Sequence, residues 1–178
     1  NILNLPPKIR RKIKVSLSKQ ERIGFDYCID LAIENYRIRT LEGLGNRNAE
    51  ALVILNAIRK ITAEYKLSAV SKFLTNVIHE KTPVILFSNF LQPLYFLMKS
   101  HDAHLLTGKQ TIKQREKVVN DFQLGRINLL LCTFQTAAYG FTLHRARNVI
   151  LLDRPWSPGE LDQAEDRCHR IGMKGNLV

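Results

Sequence analysis

NVILLDRPWSPGELDQAEDRCHRIG, residues 148–172, decides how the rest of the chain is read, because it joins a buried strand to a helix with two arginines on one face. Residues 149–152 are an apolar run too short for a helix and bounded by polar residues, the pattern of a strand buried on both faces, and Asp153 ends it. Ser157, Pro158, Gly159 and Glu160 have the spacing of a capping box, with proline at the first helical position where its missing N–H costs nothing. A helix therefore starts at Pro158. Along it Leu161, Ala164, Cys168 and Ile171 recur at helical spacing and form the stripe that packs on a sheet, while Gln163, Arg167 and Arg170 line another face. Ligands of parallel α/β sheets bind outside the carboxyl ends of the strands, so the two arginines stand where they could grip phosphate. The same residues also fit a plain surface bridge between Arg170 and Asp166 one turn back, with Arg167 solvated.

Working outward, residues 128–132 read as another central strand, followed by TFQTAAYGFTL over residues 133–143. A strand end and helix N-terminus offer backbone N–H groups to a phosphate only where no side chain blocks the approach, and Thr133, Ala137, Ala138, Gly140 and Thr142 meet that need. A turn whose small residues serve packing alone fits them too. Residues 84–87 are a buried strand, with Ser88 and Asn89 at its carboxyl end placed to cap a helix over 90–100. Residues 103–106 form the next strand, which ends in Thr107 and Gly108 and leads to a helix over 112–123 carrying Arg115. Gly108-Lys109-Gln110 is not the end of a phosphate-binding loop, since Ala103 stands where that loop needs glycine and Gln110 where it needs Ser or Thr. Strands alternating with helices argue a parallel sheet. Trp156, the single tryptophan, sits at a strand end where it either covers the core edge or takes part in a site.

Before this region the rhythm differs. Residues 1–17 carry five basic and no acidic side chains, and Ile13, Val15 and Leu17 alternate with polar residues, which predicts a short strand. Ser18 to Glu21 has capping-box spacing and opens a helix through about residue 36, with Ile23, Tyr27, Leu31 and Ile38 near helical spacing. Gly43 and Gly45 break it. A second helix over 48–65 is expected to bury Leu52, Leu55, Ile58 and Ile61, and a third over 68–81 presents Val70, Phe73, Leu74, Val77 and Ile78. The expected organisation is a lead-in strand and linker over 1–17, a helical subdomain over 18–82 and an α/β lobe over 83–178.

At 178 residues, 45% hydrophobic and 24% charged, the chain has the composition of a globular domain with a sizeable core. A formal charge of +11 draws polyanions through long-range fields and counterion release, which makes nucleic acid the first candidate partner; solubilising lysines alone would account for the same number. Cys28, Cys132 and Cys168 are odd in number, far apart and in apolar settings, as reduced core thiols of an intracellular protein are. No metal-ligand spacing occurs among them, and no apolar stretch reaches the ~20 residues that cross a bilayer. The first residue is Asn rather than Met, which reads as a piece of a longer protein.

QAEDRCHRIG preceded by DRPWSP resembles motif VI, and the tryptophan segment before it, of Swi/Snf-type ATPases within helicase superfamily two. VILFSNF resembles their motif IV, TFQTAAYGFTL their motif V, the spacing from Leu106 through Gly108 to Arg115 their LxGxxxxxxR segment, and LPPK the start of their second lobe. The wording GELDQAEDRCHRIG is most similar to the annealing-helicase branch. Departures are Ala137 and Ala138 where many members carry adjacent glycines, and Trp-Ser-Pro in place of Trp-Asn-Pro.

The resemblance implies an α/β fold: a RecA-like second lobe, its mainly parallel sheet flanked by helices and preceded by a small helical insertion. It implies that Arg167 and Arg170 are arginine fingers on the γ-phosphate of ATP, with Gln163, Gly140 and Asp153 at the nucleotide. Ser88, Asn89, Thr107, Gly108, Arg115, Thr133 and Thr142 would track double-stranded DNA, and Trp156 would couple the two sites. The first RecA-like lobe of the same parent chain would hold most of the ATP and the Mg2+, since no GxxxxGK[ST] loop and no Asp-Glu pair occur here. The expected working form is a monomeric, membrane-free DNA-dependent ATPase, with this chain alone inactive. The alternatives are a nucleic-acid-binding module of the same fold without catalysis and the second lobe of an RNA helicase.

Overall fold

The computed structural model describes residues 8–41 and 47–169. Contacts divide the chain into two units, residues 14–68 and the remainder.

The larger unit is built on a sheet of four parallel strands, β1 (Val84–Ser88), β2 (His104–Leu106), β3 (Leu129–Thr133) and β4 (Asn148–Leu151), in the order β2-β3-β1-β4. β1 and β3 are buried along their whole length, which is why they read as unbroken apolar runs rather than alternating ones. Their register pairs Phe87 with Cys132 and Ser88 with Thr133, so the polar residue ending each strand lies at the same edge. Between strands run α4 (Leu91–Ser100), α5 (Ile112–Gln123), the short α6 (Phe134–Ala137) and, after β4, α7 (Pro158–Cys168). Phe87, Phe122, Leu130, Cys132, Phe134, Ala164 and Cys168 meet in one core, where Phe87 and Phe134 stack at 5.5 Å. Burial pushes the Cys132 thiol up and the Cys168 thiol to about 12, the latter helped by Glu165, so both stay neutral and pack as small apolar groups.

Two helix starts follow from local chemistry. Thr111 and Gln114 form a reciprocal capping box at α5, and the Ser157 hydroxyl accepts the Glu160 N–H, 3.2 Å, at α7, with Pro158 in the first turn. At α4 the N-cap residue is Phe90, which offers no side-chain cap; the Ser88 oxygen accepts the Phe90 N–H at 3.1 Å while its hydroxyl and the Asn89 side chain donate to Asp153.

The smaller unit pairs α1 (Lys19–Leu41) with α2 (Arg47–Tyr65). Ser18 and Glu21 complete a reciprocal cap at the start of α1. Phe25 and Cys28 meet Tyr65 while Arg39 meets Glu50 at 2.9 Å, so the two helices run antiparallel. Gly24 lets the pair close, since a Cβ there would lie 2.7 Å from the Tyr65 hydroxyl. The face α1 turns inward is not the expected one. Ile23 is 71% exposed, and Tyr27, Leu31 and Ile38 are exposed with it; Phe25, Cys28, Ile29, Ala32, Ile33 and Tyr36 are half-buried. On α2, Leu52 and Leu55 are exposed, and Ala63 and Glu50 are the buried residues.

Two further expectations change. Residues 13–17 form no strand, and Ile13 is exposed, since alternation alone supplies no neighbour to pair with. Helix α3 (Leu67–His79) groups with the sheet unit from Ala69 onward, so the helical region is shorter than 18–82: its sharply amphipathic face buries Leu74 and Val77, and Ser71 bonds His101 at 2.8 Å. Burial lowers the His101 pKa, which keeps that ring neutral.

Candidate functional site

The carboxyl edge of the sheet gathers residues from motifs far apart in sequence. Asp153, just past β4 and 8% exposed, accepts the Ser88 hydroxyl at 2.5 Å and the Asn89 backbone N–H at 3.1 Å, and the Asn89 amide group also donates to it. Asn89 Nδ2 further reaches the Arg154 carbonyl at 2.9 Å. The ends of β1 and β4 are thus pinned by one carboxylate, and the residue implied at the nucleotide is bonded to two implied at DNA.

At the other side of the edge, Thr107 is buried and its N–H donates to Gln110, whose own amide returns to the Leu105 carbonyl at 3.0 Å. This pair shapes the turn that exposes Gly108, with open space where a Cβ would stand. Thr136 bonds the carbonyls of Thr133 and Leu106, which ties α6 across the ends of β2 and β3. Thr133 is buried with its hydroxyl unpartnered, and the Thr142 carbonyl accepts from Gln123 at 2.9 Å. Gly140 holds φ +79°, a left-handed conformation that glycine adopts without strain, and nothing lies near it on the Cβ side.

Arg115 is 6% exposed, with its guanidinium 3.9 Å from the centroid of the Tyr139 ring and its Nε and Nη1 without hydrogen-bond partners. A buried cation with unmet donors is receptive to an anion. Tyr139, its cover, carries no motif signature that sequence reading could use.

On α7, Gln163 and Trp156 ahead of it are exposed. Arg167 is half-buried rather than solvated: its Nε donates to the Ala137 carbonyl at 2.7 Å, and its own carbonyl accepts the Leu143 N–H at 2.8 Å. Arg170 and Ile171 lie outside the described residues. Asp166, the bridge partner expected for Arg170, is met by Lys8 Nζ at 2.6 Å. Glu165, to which sequence patterning assigns no role, is 5% exposed beside Ala164 and Cys168; its position one turn after Leu161 on the packing side is the available signal.

Among the described residues no group of three or more His, Cys, Asp or Glu is placed to hold a metal ion, and no helix is long and apolar enough to cross a membrane.

A parallel sheet with flanking helices and a polar carboxyl edge defines a RecA-like α/β lobe. Residues 65–172 match the model of the helicase conserved C-terminal domain, and the chain belongs to that family, as the C-terminal lobe of its Swi/Snf-type members. The ATP-dependent helicase fft3 of Schizosaccharomyces pombe is 35% identical over 64% of this chain and 13% of its own length. The DNA annealing helicase and endonuclease ZRANB3 of Bos taurus is 26% identical over 97% of this chain and 16% of its own. The chain therefore spans about a seventh of the length of these relatives. In fold it is similar to the Sulfolobus solfataricus SWI2/SNF2 ATPase core in complex with dsDNA, with a TM-score of 0.67 at 19% identity, covering 91% of this chain and 38% of that one.

Proposed function

We propose that the chain is the second lobe of an ATP-dependent translocase on double-stranded DNA, supplying arginine fingers and part of the backbone track. ATP and Mg2+ are held mainly by a first RecA-like lobe of the same parent protein. Gln163, Arg167 and Arg170 face the nucleotide with Gly140 and Asp153; Ser88, Asn89, Thr107, Gly108, Arg115, Thr133 and Thr142 face the DNA backbone; Trp156 couples the two. The helices of residues 14–68 are the lobe's insertion.

The observation that carries the reading is the bond from Arg167 to the Ala137 carbonyl, which joins the arginine helix to the segment of small residues at the strand ends. Charge spreads over the oxygens of a transferring γ-phosphoryl group, and an arginine from a second lobe stabilises that state by ~10³ to 10⁵ in rate, about 4 to 7 kcal/mol. A surface bridge would contribute ~0.5 kcal/mol. In the complete parent enzyme, Arg167→Ala and Arg170→Ala should each abolish DNA-stimulated ATP hydrolysis and leave DNA binding nearly intact. Lysine should not rescue either fully, lacking the planar fork. Near-normal turnover in both alanine variants, or an equal loss in Asp166→Ala, overturns the assignment, and preference for RNA over DNA in competition overturns the substrate.

A further inference from the structure

Residues 8–10 lie across the acidic side of α7. Arg10 meets Glu165 with both edges of its fork, Nε to Oε1 at 3.1 Å and Nη2 to Oε2 at 2.6 Å, and Nη2 also reaches Asp162 at 3.3 Å. Lys8 Nζ sits 2.6 Å from Asp166 and 3.6 Å from Glu165. Three carboxylates within five positions of one helix are thereby matched by two cations more than 150 residues earlier in the chain. The weights differ: Asp162 and Asp166 are exposed and their pairs contribute little, whereas Glu165 is buried and its charge depends on the fork that meets it. A second tie holds the helix from elsewhere, where Arg167 bonds the Ala137 carbonyl and the Leu143 N–H bonds Arg167. The helix is therefore fixed in rotation by two long-range anchors, one toward the lead-in segment and one toward the strand ends. Without the first, Glu165 would be a buried charge lacking its partner, and α7 would have to turn outward to hydrate it.

We propose that Arg10, assisted by Lys8, is a positioning residue that acts through buried Glu165 to set the rotation of the helix carrying Gln163 and Arg167, so that the segment leading into the lobe governs the alignment of the arginine fingers. This rests on the function proposed above for those arginines.

The test is a double-mutant cycle in the complete parent enzyme. Arg10→Gln should lower kcat for DNA-stimulated ATP hydrolysis about tenfold, inside the range of coupling between contacting residues, with KM for ATP within about twofold. Arg10→Lys, which keeps the charge and loses the fork, should fall between. Glu165→Gln should be the milder single change, and Arg10→Gln with Glu165→Gln should recover most of the lost kcat, since no buried charge then remains to be met by Lys8 alone at 3.6 Å. The inference is overturned if Arg10→Gln leaves kcat unchanged, or if the double variant loses as much as the two singles combined. Amide hydrogen exchange on the same proteins separates this from the functional reading. Residues 158–168 should exchange faster in Arg10→Gln than in the unaltered protein, β1 and β3 should not, and the double variant should revert. If the unaltered parent shows no DNA-stimulated ATPase, the functional reading fails and the exchange pattern alone decides whether Arg10 holds α7.

Discussion

Asp153 shows how much one side chain can organise. It faces three donors from Ser88 and Asn89, so its carboxylate is an acceptor-only hub between two strand ends. Asp153→Asn turns one acceptor into a donor and sets N–H against N–H or O–H in a buried place, which should lower stability by about 2 kcal/mol, against under 1 kcal/mol for exposed Asp162→Asn. Urea unfolding of both variants measures the difference, and equal midpoints would remove the hub from the account. Sequence reading named Asp153, Ser88 and Asn89 from their positions at strand ends, but these partners lie 64 and 65 residues apart and nothing local announces the bond. The DNA role of Arg115 is implied by the family resemblance of its segment, while its burial under Tyr139 depends on a loop conformation that the motif does not encode. Glu165 was overlooked for the opposite reason: a carboxylate reads as solvent-facing unless a partner is known, and its partner lies 155 residues away.

Elements were legible in proportion to how one-sided their surroundings are. The predicted helix over 112–123 matches α5, whose capping box is local; of the runs expected as strands, 84–87 and 128–132 fall in the fully buried β1 and β3, 103–106 and 149–152 fall in the outer, only partly buried β2 and β4, and 13–17 forms none. α1 is the expected helix with a different inward face, since apolar residues occur on both of its sides and the period alone does not choose. The observed face gives a measurable consequence. Phe25→Ala removes an edge contact with Tyr65 at 5.3 Å and should cost about 2 kcal/mol, whereas Ile23→Ala should cost less than about 0.5 kcal/mol. Thermal unfolding of the two variants would rank them, and a larger loss from Ile23→Ala would restore the other face.

For the molecule as a whole, charge and connectivity outweigh any single contact. The +11 formal charge and the absence of a base-reading motif predict that the chain by itself binds duplex DNA weakly, without sequence preference, and with log affinity falling by about 0.9 per neutralised phosphate for each unit of log salt. It should hydrolyse no ATP above background. Filter binding across a salt series and a phosphate-release assay check both, and a flat salt response or steady turnover would refute them. The family and the parallel sheet are readable at this scale because motif order survives in one dimension; the clasp of residues 8–10 on α7 is not, because its partners lie 155 residues apart in sequence. The bond from Arg167 to the Ala137 carbonyl has a consequence of another kind. Its acceptor belongs to the main chain, so every residue type that could stand at position 137 supplies the same oxygen. A substitution at 137 that keeps the backbone path leaves the acceptor in place, so the link itself demands no compensating side chain there. What connects the arginine to the strand ends is specified by backbone path rather than by the side chain at 137.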